Sequence, residues 1–268
     1  MIIRHDLELV FVHVPKCAGT RLRRLFELGA PAGALDRLWN YGHSEVLDRY
    51  VDFAHLPMSD LCTMRAYRYL ERYTVVASIR NPYKRLRSAT NEYFRQKSKR
   101  HERLVQQGLI TPEQRQRYYN KLAVRHRLLD PRFIHSLPIH RFTHLGSEPR
   151  VDHLLHCEDL RAETMDLINR YNWPAAMKAA VTDLPATDRS PEPTAAECHL
   201  ADQLYRRDFQ CFGYPQQQAT ATSTTTGKLA DAGQVRWIHN ATAVAWHWGP
   251  TAARQDRPYL PVRTRIHQ

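Results

Sequence analysis

The segment PKCAGT at residues 15–20 contains the residue types of an anion-binding loop. Lys16 brings a positive charge, Thr20 brings a hydroxyl donor, and Gly19 lets the backbone approach a ligand closely. Apolar residues follow at helical spacing, so the segment leads into a helix whose first N–H groups are unpaired and carry the positive end of the helix dipole. This arrangement is typical of a phosphate-binding loop.

A second group of cationic and hydroxyl residues lies at residues 78–88, in the sequence SIRNPYKRLRS. Arg80 follows an apolar run that predicts a strand, and open α/β sheets bind ligands beyond the carboxyl ends of their strands. Ser88 lies two helical turns later, within reach of the same anion. Because arginine can capture phosphate through two parallel hydrogen bonds, this pattern predicts a second phosphate contact.

The elements that position these motifs are predicted from hydrophobic periodicity. Apolar runs rich in β-branched and aromatic residues predict strands at residues 7–14, 50–54, 73–79 and 151–157. Helices are predicted to begin after residue 20, at Pro82, at Pro112 after the N-cap Thr111, and after Asp159, with a further helix over residues 194–209. Strands that alternate with helices predict an α/β fold, with a parallel sheet covered on both faces.

The first motif does not fit the nucleoside-triphosphatase pattern G-x-x-x-x-G-K-[ST], because no glycine directly precedes Pro15 and Lys16 comes before Gly19. Residues 13–22, HVPKCAGTRL, instead resemble the H-x-P-K-[TC]-A-G-T-[ST]-L pattern of the carbohydrate sulfotransferases that include heparan sulfate 2-O-sulfotransferase. Residues 80–88 resemble the 3′-phosphate motif of the same family, R-[DN]-P-x-x-R-x-x-S. Two motifs in the expected order, each after a predicted strand, make the resemblance specific.

Softer similarity at residues 154–160 and 204–214 extends the resemblance over about residues 8–215. The family implies a P-loop-NTPase-like parallel sheet flanked by helices. It also implies a reaction in which the sulfuryl group of 3′-phosphoadenosine 5′-phosphosulfate (PAPS) passes to a hydroxyl, here of a carbohydrate or glycan, by in-line displacement and without a metal. The RKGxxGDWK region of the cytosolic small-molecule sulfotransferases is absent, which points away from steroid and phenol acceptors.

The resemblance also implies a role for each residue of the two motifs. Lys16 would stabilise the leaving group, and Arg80 and Ser88 would hold the 3′-phosphate. The 5′-phosphosulfate loop comprises Pro15, Lys16, Cys17, Ala18, Gly19, Thr20 and Arg21. Two positions depart from the pattern, since Cys17 replaces the commoner threonine and Arg21 replaces the usual serine or threonine.

The acceptor hydroxyl needs a general base, and histidine, with a reference pKa near ~6.5, suits that role. His55, in DFAHLPM, resembles the catalytic histidine that follows the corresponding strand in the family. The 2-O-sulfotransferase pattern there is H-x-H, and Phe53 occupies its first position. His43, in YGHSEV, is the second candidate, ahead of Glu45 and Glu158.

The formal net charge of +12 over 268 residues indicates an anionic partner. Basic residues are frequent between residues 80 and 127, which predicts either a solvated helical face or a groove for an acidic glycan. Five irregularly spaced cysteines without a CxxC motif favour a reducing compartment and disfavour a structural zinc site. The N-terminus lacks a signal-peptide pattern and no apolar run is long enough to span a membrane, so we expect a cytoplasmic protein.

Residues 1–215 are predicted to form the sulfotransferase domain, and residues 216–268 a low-complexity linker and tail. Three other functions were considered. A P-loop-like kinase would need a lysine after the second glycine and an acidic metal ligand at a strand end, and neither is evident. A nucleic-acid-binding protein would account for the charge, but no recognition signature supports it. A non-catalytic relative that only binds PAPS is the third.

Overall fold

A computed structural model describes residues 1–125, 131–186, 188 and 192–217 of the chain. The strands are β1 (Ile2–Arg4), β2 (Leu9–Val12), β3 (Leu35–Arg37), β4 (Tyr41–Ser44), β5 (Arg49–Asp52), β6 (Thr74–Ile79), β7 (His144–Leu145), β8 (Glu148–Pro149) and β9 (His153–His156). The helices are α1 (Gly19–Glu27), α2 (Met58–Leu61), α3 (Pro82–Lys97), α4 (Lys99–Gln106), α5 (Pro112–Arg125), α6 (His140–Thr143), α7 (Leu160–Arg170), α8 (Ala175–Ala180), α9 (Ala195–Leu204) and α10 (Arg206–Phe212). Short 3₁₀ helices cover His5–Leu7, Phe53–His55, Arg65–Tyr69, Pro131–Ser136 and Val181–Asp183.

A five-stranded sheet in the order β3-β1-β2-β6-β9 forms the centre of the fold. Strands β2, β6 and β9 are parallel, as predicted, with Val10 opposite Val75 and Ala77 opposite Leu154. Strands β1 and β3 join antiparallel, so the sheet is mixed and the prediction of a wholly parallel sheet is wrong at this edge. Only four residues connect β1 to β2, whereas a parallel crossover needs a dozen or more.

The strand predicted at residues 50–54 does not join the central sheet. Strand β5 pairs with β4 in a separate antiparallel hairpin, with His43 opposite Tyr50. The chain then turns into the 3₁₀ helix Phe53–His55, where the carboxylate of Asp52 accepts a hydrogen bond of 3.0 Å from the N–H of Ala54. This cap ends the strand two residues earlier than predicted and positions His55.

The central strands are buried on both faces. Leu9 and Phe11 of β2 pack with Leu22 and Phe26 of α1, and Val10 and its alternate neighbours pack into a second cluster on the opposite face. Each such side chain contributes about 1.5–3 kcal/mol on burial. The predicted apolar face of α1 is therefore confirmed, and it presses the loop before the helix against the sheet.

Two helix starts occur where the sequence predicts them. Pro82 opens α3, and the side chain of Asn81 accepts a hydrogen bond of 3.0 Å from the N–H of Tyr83. Thr111 accepts from the N–H of Gln114 at the start of α5. The single helix predicted at residues 194–209 is instead two helices, α9 and α10, separated at the fully buried Tyr205.

Of the predicted linker and tail, only residues 216 and 217 belong to the described part of the chain. Within the described ranges, no helix combines the length and the apolar character needed to cross a bilayer.

Candidate functional site

The loop between β2 and α1 has a backbone shape suited to an anion. Lys16 and Ala18 both have positive φ angles, of 65° and 58°. Turns that alternate right- and left-handed residues direct successive N–H groups into one concavity, and this concavity lies at the start of α1. Alanine has no polar side chain that could cap the helix, so the first N–H groups of α1 face the concavity and are suited to a ligand.

Gly19 is required at the start of α1 for a reason that involves a neighbouring strand. A Cβ atom on this residue would lie 1.9 Å from Cδ2 of His13, which is closer than any real contact. The imidazole of His13 is 6% exposed and packs directly over the glycine. Gly19 therefore allows the histidine to pack against the loop, in addition to the close backbone approach that the sequence predicts.

Arg80 of the second motif follows β6 and reaches the same loop. Its Nη1 donates to the carbonyl of Lys16 at 3.2 Å, and its Nε and Nη2 donate to the two carboxylate oxygens of Asp188, each at 2.7 Å. The guanidinium is thus held in the geometry that binds a carboxylate or a phosphate in bidentate fashion. Asp188 lies where the second anion of a ligand would compete for the arginine.

Both motifs line one cleft of about 1100 Å³, at the carboxyl edge of the three parallel strands. His13 follows β2, Arg80 follows β6 and Cys157 follows β9, and all three border the cleft. The predicted site residues that line it are Lys16, Ala18, Gly19, Thr20, Arg21, His55, Arg80 and Ser88. The two motifs, predicted separately from sequence, thus lie in one site.

Pro15 and Cys17 lie in the predicted loop but are not among the residues that line the cleft. Both are buried, and the carbonyl of Cys17 accepts a hydrogen bond from Ser78 beneath the loop. The thiol of Cys17 donates to the carbonyl of Pro15 at 3.6 Å. Cysteine in place of the commoner threonine is therefore a packing residue here, and only its backbone can serve a ligand.

Of the alternative general bases, none lines the cleft. His43 lies on β4, 3.7 Å from Asp48, and Glu45 is exposed in the turn of the same hairpin. Glu158 accepts hydrogen bonds from the N–H of Asn81 and the hydroxyl of Tyr214. Of the candidate bases, the cleft lining therefore includes only His55.

His55 is held in one tautomer by its neighbour. Its Nδ1 lies 2.9 Å from the carbonyl oxygen of His13. Because a carbonyl can only accept, Nδ1 carries the proton and Nε2 has a free lone pair. Burial lowers the pKa of His55 to about 4, so the imidazole is neutral at physiological pH. The arrangement offers a proton acceptor inside the cleft.

Several cleft residues were not predicted from sequence. Glu92, one helical turn after Ser88, accepts a hydrogen bond of 2.8 Å from Nζ of Lys16. Burial opposes ionisation of Glu92, but the contact with Lys16 outweighs it and keeps the pKa of this carboxyl below its ordinary value. The other unpredicted lining residues are His13, Trp39, Arg95, His135, Arg161 and Asp188. The i, i+4 spacing from Ser88 is the signal that could have identified Glu92.

His135 is the most distant of these in sequence. Its ring lies 5.2 Å from that of His55, centroid to centroid, and it comes from the 3₁₀ helix Pro131–Ser136. Burial lowers its pKa to about 3, so it is also neutral. Asp52, His55 and His135 together form a group of potential metal ligands. No signal in the sequence predicted this grouping.

No protein-family model matches the chain, and searches of curated proteins and of solved structures likewise find no match. The functional interpretation therefore depends on the geometry of the cleft and on the motifs that line it.

Proposed function

We propose that the protein is a sulfotransferase that moves the sulfuryl group of PAPS to a hydroxyl of a carbohydrate acceptor. The observation that carries this proposal is that two phosphate-type motifs, separated by about sixty residues, line one cleft together with a neutral histidine. A donor with phosphate groups at its 5′ and 3′ positions needs two such contacts, whereas one phosphate-binding loop would serve a simpler nucleotide. A sulfotransferase-type, P-loop-like arrangement of the parallel strands forms part of this proposal.

The residues present fit this donor. The N–H groups at the start of α1 and the charge of Lys16 suit the 5′-phosphosulfate. Arg80 and Ser88 suit the 3′-phosphate, and the bidentate contact between Arg80 and Asp188 shows that the guanidinium can hold two oxygens at once. Binding at Arg80 would require exchange of the Asp188 carboxylate for the phosphate.

The proposed reaction follows from these positions. Nε2 of His55 accepts the proton of the acceptor hydroxyl while the hydroxyl oxygen forms a bond to sulfur. The bond from sulfur to the bridging phosphate oxygen breaks, and Lys16 stabilises the negative charge that develops on that oxygen. PAPS supplies the sulfuryl group, and 3′,5′-phosphoadenosine is the product that leaves.

The acceptor is inferred from the charge of the same cleft. Arg21, Arg95 and Arg161 line it in addition to the residues assigned to the donor. Arginine side chains bind carboxylate and sulfate groups through paired hydrogen bonds. An acidic or already sulfated glycan is therefore the acceptor class that we propose.

Calorimetric titration with 3′,5′-phosphoadenosine, with ATP as the comparison ligand, tests the proposal. We expect the bisphosphate to bind, ATP to bind more weakly, and Arg80→Ala to lose most of the affinity for the bisphosphate. Arg103→Ala is the matched control, because Arg103 is exposed on α4 and does not line the cleft. Absence of binding by the folded wild-type protein would contradict the sulfotransferase assignment.

A further inference from the structure

Three side chains near the inner end of the cleft have the chemistry of metal ligands. One ligand atom from each of Asp52, His55 and His135 lies within 4.8 Å of the other two. Asp52 ends β5, His55 ends the 3₁₀ helix that follows, and His135 comes from a second 3₁₀ helix. Two imidazoles and a carboxylate on separate elements thus converge without a hydrogen bond that would account for their grouping among the described contacts.

Two of the three groups are already oriented by hydrogen bonds. Nδ1 of His55 donates to the carbonyl of His13 at 2.9 Å, which directs the lone pair of Nε2 away from that carbonyl. The carboxylate of Asp52 accepts from the N–H of Ala54 at 3.0 Å. Histidines that ligate metals almost always donate their second ring N–H to a carbonyl or a carboxylate, and ligating carboxylates are themselves hydrogen-bonded.

The surroundings leave space for an ion. His55 and His135 both border the main cleft. Asp52 and His55 also border a smaller cavity of about 10 Å³, which is roughly the volume of one water-sized sphere. Lys16 lies in the same cleft, but its charge is offset by Glu92 at 2.8 Å, so repulsion of a cation from this direction is reduced.

The ligand types identify the class of ion. Imidazole nitrogen suits zinc, copper, nickel and cobalt, whereas magnesium and calcium prefer oxygen ligands throughout. Two histidines and one carboxylate also occur as the protein ligands of zinc sites that keep further coordination positions open. Ligand distances near 2.0–2.2 Å would require the three side chains to close in by a small movement from their present separation.

We propose that Asp52, His55 and His135 bind a divalent transition-metal ion of the zinc class, with an open coordination position facing the cleft. One consequence rests on the proposed function. Nε2 of His55 cannot ligate a metal and accept a proton at the same time, so metal-loaded protein would be inhibited in sulfuryl transfer. The site would then make the enzyme sensitive to zinc.

Cobalt is the probe that tests the site, because its visible absorption reports the coordination of the ion. Untagged protein is first treated with EDTA and exchanged into metal-free buffer, and Co²⁺ is then titrated in. We expect a saturable absorption band at about one ion per chain, which Zn²⁺ abolishes. His135→Gln and Asp52→Asn should each weaken Co²⁺ binding by more than about tenfold, since removal of even an outer-shell partner costs that much.

His43→Gln is the control variant, because His43 lies outside the cleft and should leave Co²⁺ binding unchanged. Circular dichroism on each variant shows whether it is folded, and the milder His135→Asn is used if His135→Gln is not. No absorption band in wild-type protein, or equal Co²⁺ affinity in the folded ligand variants, would overturn the metal site. Titration of metal-free protein with 3′,5′-phosphoadenosine is run in parallel, so loss of the metal site and loss of the donor site are told apart.

Discussion

Nε of Arg85 donates a hydrogen bond of 3.0 Å to the carbonyl of Pro15, a residue 70 positions earlier in the chain. The same guanidinium donates through Nη2 to the carbonyl of His135 at 3.2 Å. The Arg85 side chain is fully buried. One arginine of the second motif therefore connects the anion-binding loop to the segment that carries a cleft histidine, and it acts on the site without lining it.

Arg85→Lys should destabilise the protein and weaken nucleotide binding together. A lysine ammonium cannot reproduce the spread of a guanidinium that contacts two carbonyls, and a buried carbonyl left unpaired costs about 1–3 kcal/mol. We expect the free energy of unfolding, measured in urea, to fall by roughly 2–3 kcal/mol. Arg103→Lys, on the exposed face of α4, should change it by less than about 0.5 kcal/mol. Equal stability of the two variants would show that Arg85 does not support the loop.

Gly19→Ala should disrupt the loop through His13. The added Cβ would lie 1.9 Å from the imidazole, so the ring or the start of α1 must move. We expect a loss of about 1–3 kcal/mol in unfolding free energy and a marked loss of affinity for 3′,5′-phosphoadenosine. Gly42→Ala is the control, because its nearest neighbour, Phe53, would be 3.5 Å away in ordinary contact. A Gly19→Ala protein with wild-type affinity would contradict the role of this packing.

Glu92→Gln should strengthen binding of the anionic nucleotide. Glu92 accepts from Lys16 at 2.8 Å, and removal of its charge leaves the full positive charge of Lys16 for the ligand. A change of about 1 kcal/mol at this separation corresponds to roughly a fivefold gain in affinity, which should diminish at high salt. Glu102→Gln, which removes an exposed ion pair with Lys99 on α4, is the comparison. Weaker binding by Glu92→Gln would mean that the carboxylate positions Lys16 rather than neutralising it.

The two anion-binding motifs could be predicted from sequence because each is a short local pattern at the end of a strand. The positions of Arg80 and Ser88 relative to the loop followed from the parallel pairing of β2 and β6, which hydrophobic runs indicate well. The antiparallel β1 edge was missed, since three residues such as Ile2–Arg4 are too short to show periodicity. His135 and Asp188 reach the cleft only through tertiary packing, and nothing near them in sequence indicates that contact.

Glu197 provides a test of the fold that is independent of the cleft. Its side chain is about 1% exposed, accepts from the hydroxyl of Tyr119 at 2.6 Å and from the N–H of Thr194 at 2.8 Å, and pairs with Arg87 at 3.0 Å. Burial raises its pKa, but these partners outweigh burial, and the folded-state pKa lies below the ordinary value of 4.5. The unfolded state therefore binds the proton more readily, so this contribution to stability is present above about pH 4.5 and is lost as the pH falls through the folded-state pKa.

Glu197→Gln should remove that pH dependence as well as part of the stability. Glutamine keeps the size of the side chain but loses the charge that Arg87 and Tyr119 contact, so we expect the free energy of unfolding at pH 7 to fall by about 1–3 kcal/mol. Because glutamine does not titrate, the gap between wild type and variant should narrow as the pH is lowered below about 4.5 in urea unfolding experiments. Glu102→Gln should show neither effect, because Glu102 makes only an exposed pair with Lys99. A gap that stays constant with pH would mean that Glu197 stabilises the start of α9 by hydrogen bonding alone, without a contribution from its charge.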